Sequence, residues 1–173
     1  MACAKVVATL CLASVAFCTP GRQQNETPAP DWSVKFEAYK VREVYRGKPA
    51  PVHIVTPTEK MFRTRISEGA KKGPNFAGHY TLVSWGCGSG CVSFVVVNAI
   101  SGQAHDAAPF SSLFIPFMGT ESGREYQGLV YKPDSRLLIA DGCEEKCGTY
   151  YYEWRKLKFT LLRFEPVGPS MPQ

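Results

Sequence analysis

The chain has 173 residues, of which 45% are hydrophobic and 20% are charged, and its formal net charge is +5. These proportions exclude a disordered chain and a bundle of membrane helices, and the length allows one domain with its own hydrophobic core. The cationic residues are scattered along the sequence and form no basic stripe, so nucleic acid is not an expected partner.

The first residues have the pattern of a secretory signal. A short positive start ends at Lys5, and an apolar run from Val6 to Phe17 follows it. This run is too short for a stable membrane span, and small residues near its end suit signal peptidase. We predict a signal peptide over residues 1–16, with cleavage at 16–18, and an exported chain, periplasmic or secreted, with no transmembrane span in its mature form. Lipid anchoring at Cys18 is the alternative.

Composition divides the remaining chain into three parts. Residues 17–31 are rich in Pro, Gln and Asn and predict a flexible linker. Residues 32–166 predict a single β-rich domain, and residues 167–173 predict a tail. Apolar residues alternate with polar ones from Trp32 to Ala38, which predicts that the domain opens with a half-buried strand.

One helix is predicted to follow this strand. Thr56 can cap the helix, Pro57 suits its first position, and Glu59 completes a capping box. Apolar residues then recur on one helical face, and Gly73-Pro74 ends the segment. This helix is expected to cover one face of the domain.

Most of the remaining chain has the composition of strands. The main apolar segments are Tyr80–Trp85, Val92–Val97, Leu129–Tyr131, Leu137–Ala140, Thr149–Trp154 and Phe159–Phe164. Short turn sequences separate them, which favours antiparallel neighbours. We therefore predict a mainly β (α+β) fold, an antiparallel meander, small barrel or sandwich with one covering helix.

Four of the seven cysteines fall in the predicted domain, in two Gly-Cys-x-x-x-Cys loops at Cys87–Cys91 and Cys143–Cys147. Each loop lies between two predicted strands, and aligning the loops also aligns the strands without a gap. The pattern predicts an internal duplication of a strand–cysteine loop–strand unit. In an exported chain we expect these cysteines to form disulfides.

Three disulfide pairings, one within the loops and two between them, compete with a metal site for the four sulfur atoms. Pairing within each loop closes two small rings, whereas pairing between loops would join the two hairpins. We favour pairing within each loop, because residues that flank a tight loop easily meet the Cα separation of at most about 7 Å that a disulfide needs. A binding domain stabilised by zinc on four cysteines is the alternative, although an oxidising compartment disfavours it. We predict no metal and no cofactor.

Several segments resemble a family of uncharacterised exported bacterial proteins. The signature joins Asn75-Phe76-Ala77-Gly78-His79-Tyr80 to Trp85-Gly86-Cys87-Gly88-Ser89-Gly90-Cys91. The later segments 131–138 and 150–154 fit the same pattern, and the resemblance covers the chain from about Met61 to Phe164. The resemblance implies export and a shared fold, and it assigns no catalytic role to any residue.

His79 is the candidate catalytic side chain, because a histidine at a strand end can act as acid, base or ligand. Its partner would be a carboxylate of the second loop, Asp141, Glu144 or Glu145, in a small envelope hydrolase. A hydrogen-bonded structural role is the common one for such a histidine. The sequence has no Ser-His-Asp order, zinc-protease helix or phosphate loop.

Aromatic residues are the candidate binding residues, in two groups. They are Phe110, Phe114 and Phe117 in the segment between the hairpins, and Tyr150, Tyr152 and Trp154 on one strand face. The first segment breaks both helical and strand periods, so it either packs under the sheet or binds a partner. The second group forms core, or a half-exposed face on which a ligand could stack.

Export, two stapled loops and the lack of a catalytic motif together favour a binding protein. We predict a non-catalytic interaction module, similar in role to an inhibitor or immunity protein. Its partner would be another envelope or secreted protein, which it contacts through the cysteine loops and the segment Phe110–Met118.

Overall fold

A computed structural model of the protein describes residues 33–107, 112–116 and 126–167. The helices are α1 (Ser33–Ala38), α2 (Pro57–Met61) and α3 (Arg63–Ala70). The strands are β1 (Tyr80–Gly88), β2 (Cys91–Asn98), β3 (Ala104–Asp106), β4 (Ser112–Phe114), β5 (Gly128–Tyr131), β6 (Leu137–Cys143), β7 (Cys147–Arg155) and β8 (Lys158–Pro166). The six strand segments expected from composition are all present.

The strands form one antiparallel sheet with the order β1-β2-β4-β6-β7-β8, to which β3 is added beside β2 and β5 beside β6. Two three-stranded meanders, β1-β2-β3 and β6-β7-β8, are joined by the short strand β4. In the described part of the chain, β1 and β8 remain at the two edges, so the sheet is not closed into a barrel.

The inner faces of the two meanders share one hydrophobic core. Phe94 of β2 lies 6.0 Å from Phe159 of β8, and Tyr80 of β1 lies 5.4 Å from Trp154 of β7, measured between ring centroids. The sheet therefore curls until its two halves face each other as a sandwich. Edge-to-face and tilted ring pairs of this kind add to the free energy gained from apolar burial.

Helices cover the other two faces. Ile66 and Ala70 of α3 pack against Val83 and Val95 on the first meander. Phe36 of α1 packs in a separate cluster against the second meander, with Leu137, Ile139 and Tyr151. The middle of β1 and β2 and most of β6 and β7 are thus covered on both sides, which explains their nearly continuous apolar runs, whereas most of β8 is exposed.

The two meanders repeat the same plan. Each consists of a strand, a cysteine loop, a second strand, a turn and a third strand. When Cys87 is aligned with Cys143, the paired residues occupy the same side of the sheet. The pairs in the shared core are Leu82 with Leu138, Phe94 with Tyr150, and Val96 with Tyr152. The predicted repeat units therefore match both in their cysteine spacing and in which residues face the shared core.

The prediction of an opening strand is wrong, because Ser33–Ala38 forms a helix. Over so few residues, apolar alternation does not distinguish a strand from one helical turn and a half. The decisive contact is distant in sequence: the buried Phe36 ring packs beside Leu137 and Ile139. Ser135 Oγ donates a hydrogen bond to Phe36 O (3.0 Å), which ties the helix end to the second meander.

The covering helix begins as expected but is split in two. Glu59 N–H donates to Thr56 Oγ1 (3.2 Å) and Thr56 N–H donates to Glu59 Oε2 (3.0 Å), so the capping box is confirmed. The helix is interrupted at Phe62, whose ring stacks on Trp85 at 4.8 Å. The interruption lets Phe62 pack on the sheet together with Ile66.

Each hairpin turn is closed by its own disulfide. Cys87 bonds to Cys91, with Cα atoms 5.0 Å apart, and Cys143 bonds to Cys147, with Cα atoms 3.9 Å apart. Pairing within each loop is therefore what the structure contains. These two bonds engage all four sulfur atoms, which a zinc site would instead need as free thiolates.

Removal of either disulfide should lower stability by a similar amount. Replacing Cys143 and Cys147 with Ala, or Cys87 and Cys91 with Ala, should each reduce the free energy of unfolding by about 2 kcal/mol, because each bond closes a ring of similar length. Urea denaturation of the oxidised variants measures this loss, and the reduced wild type serves as the control. Unchanged stability in both variants would show that backbone pairing alone holds the turns.

Candidate functional site

A cleft of about 600 Å³ opens beside His79, and we refer to it as the His79 cleft. Its walls are the segment 41–43, the turn that carries Ala77 and His79, Arg136, Trp154 and the β7–β8 turn. The volume lies within the range of about 300–1,000 Å³ typical of small-ligand sites. The cleft adjoins the end of β1 where the strand begins.

Backbone hydrogen bonds bring three separate signature segments together at this cleft. Ala77 N–H donates to Ser135 O (3.1 Å), which joins the Asn75–Tyr80 segment to the 131–138 segment. Trp154 N–H donates to Arg136 O (2.9 Å), which adds the 150–154 segment. The sequence motifs that are far apart along the chain therefore build one site.

Glycine at position 78 is required by this arrangement. Gly78 has a φ of +84°, and a Cβ atom there would lie 2.8 Å from Glu43 O. Its N–H donates to Pro133 O (2.7 Å), and its carbonyl accepts from Tyr45 N–H (2.8 Å). A side chain at this position would push the 41–45 segment away and open the wall of the cleft.

Backbone strain is concentrated around the cleft. In the described residues, the non-glycine positions with positive φ are Ala77 (46°), Lys156 (49°) and Leu157 (61°), and all three line the cleft. Left-handed backbone is costly for such residues and is found preferentially at binding and catalytic sites. Lys156 and Leu157 form the two-residue turn between β7 and β8, where Asn-Gly is the favoured sequence.

The cleft has a positive electrostatic character. Glu153, whose side chain is only 8% exposed, binds Arg136 Nη2 at 3.2 Å and Arg155 Nε at 3.6 Å. One carboxylate thus fixes two guanidinium groups at the wall. Arg42 and Lys156 also line the cleft, and in the described part of the chain neither has a carboxylate within ion-pair distance. Glu43 is the acidic lining residue.

His79 lies in this cleft, with its ring 4.3 Å from the Tyr80 ring between centroids. Burial lowers the pKa of His79 below its ordinary value of 6.5, so the imidazole is neutral at pH 7. Burial also lowers the pKa of His105, whose ring lies 6.4 Å from the Tyr80 ring between centroids. Neutral rings in this cluster avoid adding charge beside buried aromatic groups.

The structure separates His79 from the carboxylates of the second loop. His79 precedes the first residue of β1, whereas both cysteine loops lie at the other end of that strand. A strand of 9 residues spans about 27 Å. The expected pairing of His79 with Asp141, Glu144 or Glu145 is therefore not formed. Asp141 is buried and accepts from Thr149 Oγ1 at 2.8 Å.

The two disulfide-closed turns and Phe114 form a second feature, which we name the disulfide end (Cys87–Cys91, Phe114 and Cys143–Cys147). Phe114 is paired with Cys91 on one side and with Cys143 on the other. Its side chain is 49% exposed. A large apolar ring thus stands in solvent between two covalently closed turns.

Close backbone packing holds Phe114 in place. A Cβ atom on Gly90 would lie 2.6 Å from Ile115 O and 2.8 Å from Phe114 Cε2, and Gly90 has a φ of +70°. Ile115 N–H donates to Gly90 O. Gly90 therefore does more than permit a tight turn, because it also allows β4 to approach the first loop.

Tyr150 and Tyr152 are buried in the shared core, which does not agree with their predicted binding role. Trp154 is buried in the same core but also lines the His79 cleft. The tyrosine hydroxyls instead reach the second loop from inside. Tyr152 Oη donates to Glu144 Oε2 (2.8 Å), and Lys146 N–H donates to Tyr150 Oη (3.2 Å). Burial raises the pKa of both tyrosines, which keeps them protonated as hydrogen-bond donors.

Two candidate residues, Phe110 and Phe117, lie outside the described residues. The cleft cations Arg42, Arg136, Arg155 and Lys156 were not expected from the sequence. The one feature of the sequence that could have pointed to this cleft is the two-residue turn Lys156-Leu157, which joins two clear strands without the favoured Asn or Gly.

Comparison with known proteins gives no match: no protein-family model, curated protein or solved structure is similar to the chain. The resemblance to exported bacterial proteins therefore stays a prediction. In the described ranges, no helix is both long and apolar enough to cross a membrane.

Replacing the strained turn with the sequence that its backbone favours should stabilise the protein. The double substitution Lys156→Asn, Leu157→Gly should raise the free energy of unfolding by about 1 kcal/mol, because both residues then accept positive φ at lower cost. For a domain of this size, the melting temperature should rise by about 3 °C. Lys158→Asn, just outside the turn, is the control; a less stable double variant would contradict the strain argument.

Acid should destabilise the protein through its two half-buried histidines, His79 and His105. Because the folded-state pKa values of His79 and His105 are lowered, the unfolded chain binds more protons below pH 6.5. The stability that these neutral histidines contribute is fully present above that pH and is lost as the pH falls below it. Between about pH 7 and 5, where most carboxylates stay ionised, the variants His79→Asn and His105→Asn should lose less stability than wild type. Equal slopes in wild type and in both variants would contradict this account.

Proposed function

We propose that the protein is an exported, non-catalytic interaction module that docks onto another envelope or secreted protein through its disulfide end. The observation that carries this proposal is the position of Phe114, half exposed and paired on both sides with a disulfide-closed turn. Exposed aromatic rings on rigid supports are typical anchors of protein interfaces.

Export is supported by two independent features. The N-terminal sequence has the charge and apolar pattern of a secretory signal. The two disulfides are of a kind that persists in oxidising compartments and is rare in the cytosol. A binding module of the envelope needs both properties.

Rigidity is the physical reason to assign docking to this end. Binding costs free energy when loops and side chains must be ordered, and pre-ordered surfaces avoid part of that cost. Here the first turn is fixed by its disulfide and by Ile115 N–H to Gly90 O. The second is fixed by its disulfide and by the hydroxyls of Tyr150 and Tyr152.

The rim of this end defines the partner that would fit. Glu144 and Glu145 are exposed beside Phe114, with Lys146 as the neighbouring cation. An apolar anchor with a mainly acidic rim fits a partner pocket that is apolar in its centre and basic at its edge. This is the way in which an inhibitor or immunity protein inserts a stapled loop.

The hydrolase alternative receives less support from the geometry. It requires His79 to work with a carboxylate of the second loop, and the length of β1 lies between them. Glu43 shares the His79 cleft, but cations dominate that site. Docking therefore explains more of the observed features than hydrolysis does.

Site-specific crosslinking in the native envelope tests the proposal. A photoreactive phenylalanine analogue at position 114 should give one discrete protein adduct. Leu161 on β8 is the matched control, because its exposure of 48% is nearly that of Phe114 at 49%. The analogue at position 161 should give no adduct of that size.

Competition makes the same experiment quantitative. Excess purified wild type or Leu161→Asp should remove the adduct, whereas Phe114→Asp should compete at least about 30-fold less well, as expected for an interface anchor worth about 2 kcal/mol. Circular dichroism and the intact disulfide mass confirm that each variant is folded. Equal competition by wild type and Phe114→Asp, or no adduct at position 114, would overturn the proposal.

A further inference from the structure

We propose that the His79 cleft is a second binding site, separate from the disulfide end, for a small ligand that carries an oxyanion on an apolar or ring-shaped body. The oxyanion is a carboxylate or a phosphate ester, which share the hydrogen-bond geometry that a guanidinium group recognises. This inference does not depend on the docking function of Phe114.

The charge balance of the cleft favours an anion. Four cationic side chains, Arg42, Arg136, Arg155 and Lys156, line it, whereas the carboxylates present are Glu43 in the lining and Glu153 behind two of the arginines. Two positive charges therefore remain uncompensated in the described part of the chain. A bound oxyanion would neutralise this excess.

Arg136 is also held in place before any ligand arrives. Arg136 Nε and Nη2 both lie 3.2 Å from Glu153 Oε1, and Glu153 is itself nearly buried. A guanidinium group held on one edge still presents its remaining N–H groups to a ligand. Fixed donors bind with a smaller entropy cost than free ones.

The rest of the cleft suits the apolar body of such a ligand. Val41, Ala77 and Leu157 contribute aliphatic surface, and the rings of Tyr80 and Trp154 form its floor. Leu157 is 48% exposed despite its size. A space of about 600 Å³ accommodates a ring with its oxyanion, whereas a lone inorganic ion would leave most of it unfilled.

The turn between β7 and β8 contributes two side chains that suit such a ligand. Lys156 and Leu157 keep a positive φ at positions where Asn-Gly would relieve the backbone. Lys156 supplies a cation and Leu157 an apolar group, and both side chains line the cleft. The turn thus provides the two properties that the proposed ligand requires.

Binding of simple probes to the full-length mature protein tests the inference. Phenyl phosphate, benzoate and neutral benzyl alcohol share a ring and differ in the charged group. Nuclear magnetic resonance titration should show saturable binding of at least one of the two anions below about 10 mM, with shifts of the amides from Ala77 to Tyr80. Benzyl alcohol should bind at least tenfold more weakly. The tighter anion identifies phosphate or carboxylate as the natural group.

Matched variants decide whether the cleft cations are responsible. Lys156→Asn and Arg42→Gln should each weaken anion binding at least fivefold, whereas Lys158→Asn, two residues from Lys156 and outside the cleft, should change it less than twofold. Lys156→Asn suits the left-handed backbone of the turn, so it keeps the protein folded. Phe114→Asp should leave anion binding unchanged, which separates this result from the docking proposal.

Three results would overturn the inference. They are equal binding of benzyl alcohol and the anions, unchanged binding in both Lys156→Asn and Arg42→Gln, and no shift at the cleft with either anion at about 10 mM. Addition of salt gives a further check, because an exposed electrostatic site should weaken several-fold between low and high ionic strength.

Discussion

The rest of the structure depends on the pairing of one short strand with both halves of the sheet. Phe114 of β4 is paired with Cys91 at the start of β2 and with Cys143 at the end of β6. Because β2 begins at this point and β6 ends there, the two hairpin turns meet beside Phe114 and the meanders fold over onto one core. Close approach of β4 requires Gly90, where a Cβ atom would lie 2.6 Å from Ile115 O.

The two repeat units have kept the same faces but stabilise their turns differently. In the first unit Val96 occupies the core position that Tyr152 fills in the second. Valine has no polar group that could reach the loop, and the first turn is instead hydrogen-bonded through Gly90 O, which accepts from Ile115 N–H. The tyrosine hydroxyl reaches Glu144 and supports the second turn from below. One framework thus gives two rigid turns by different physical means.

The two ends of the domain affect its stability in opposite ways. At the disulfide end, covalent bonds restrict the unfolded chain and hold an exposed ring in position. At the His79 cleft, Ala77, Lys156 and Leu157 keep a costly left-handed backbone conformation. A rigid surface suits docking of a macromolecule, and a strained, cation-lined cleft suits a small anion. The length of β1 separates the two proposed sites.

The sequence by itself determined the features that depend on neighbouring residues. Apolar runs predicted the strands, the Thr56–Glu59 capping box predicted a helix start, and cysteine spacing predicted bonds within each loop, since all three are local patterns. Only the tertiary structure decided that Ser33–Ala38 is helical, that Tyr150 and Tyr152 are buried, and that Arg42, Arg136 and Lys156 meet at one cleft. These features arise from contacts between residues far apart in the chain, and no local pattern encodes which distant surfaces will meet.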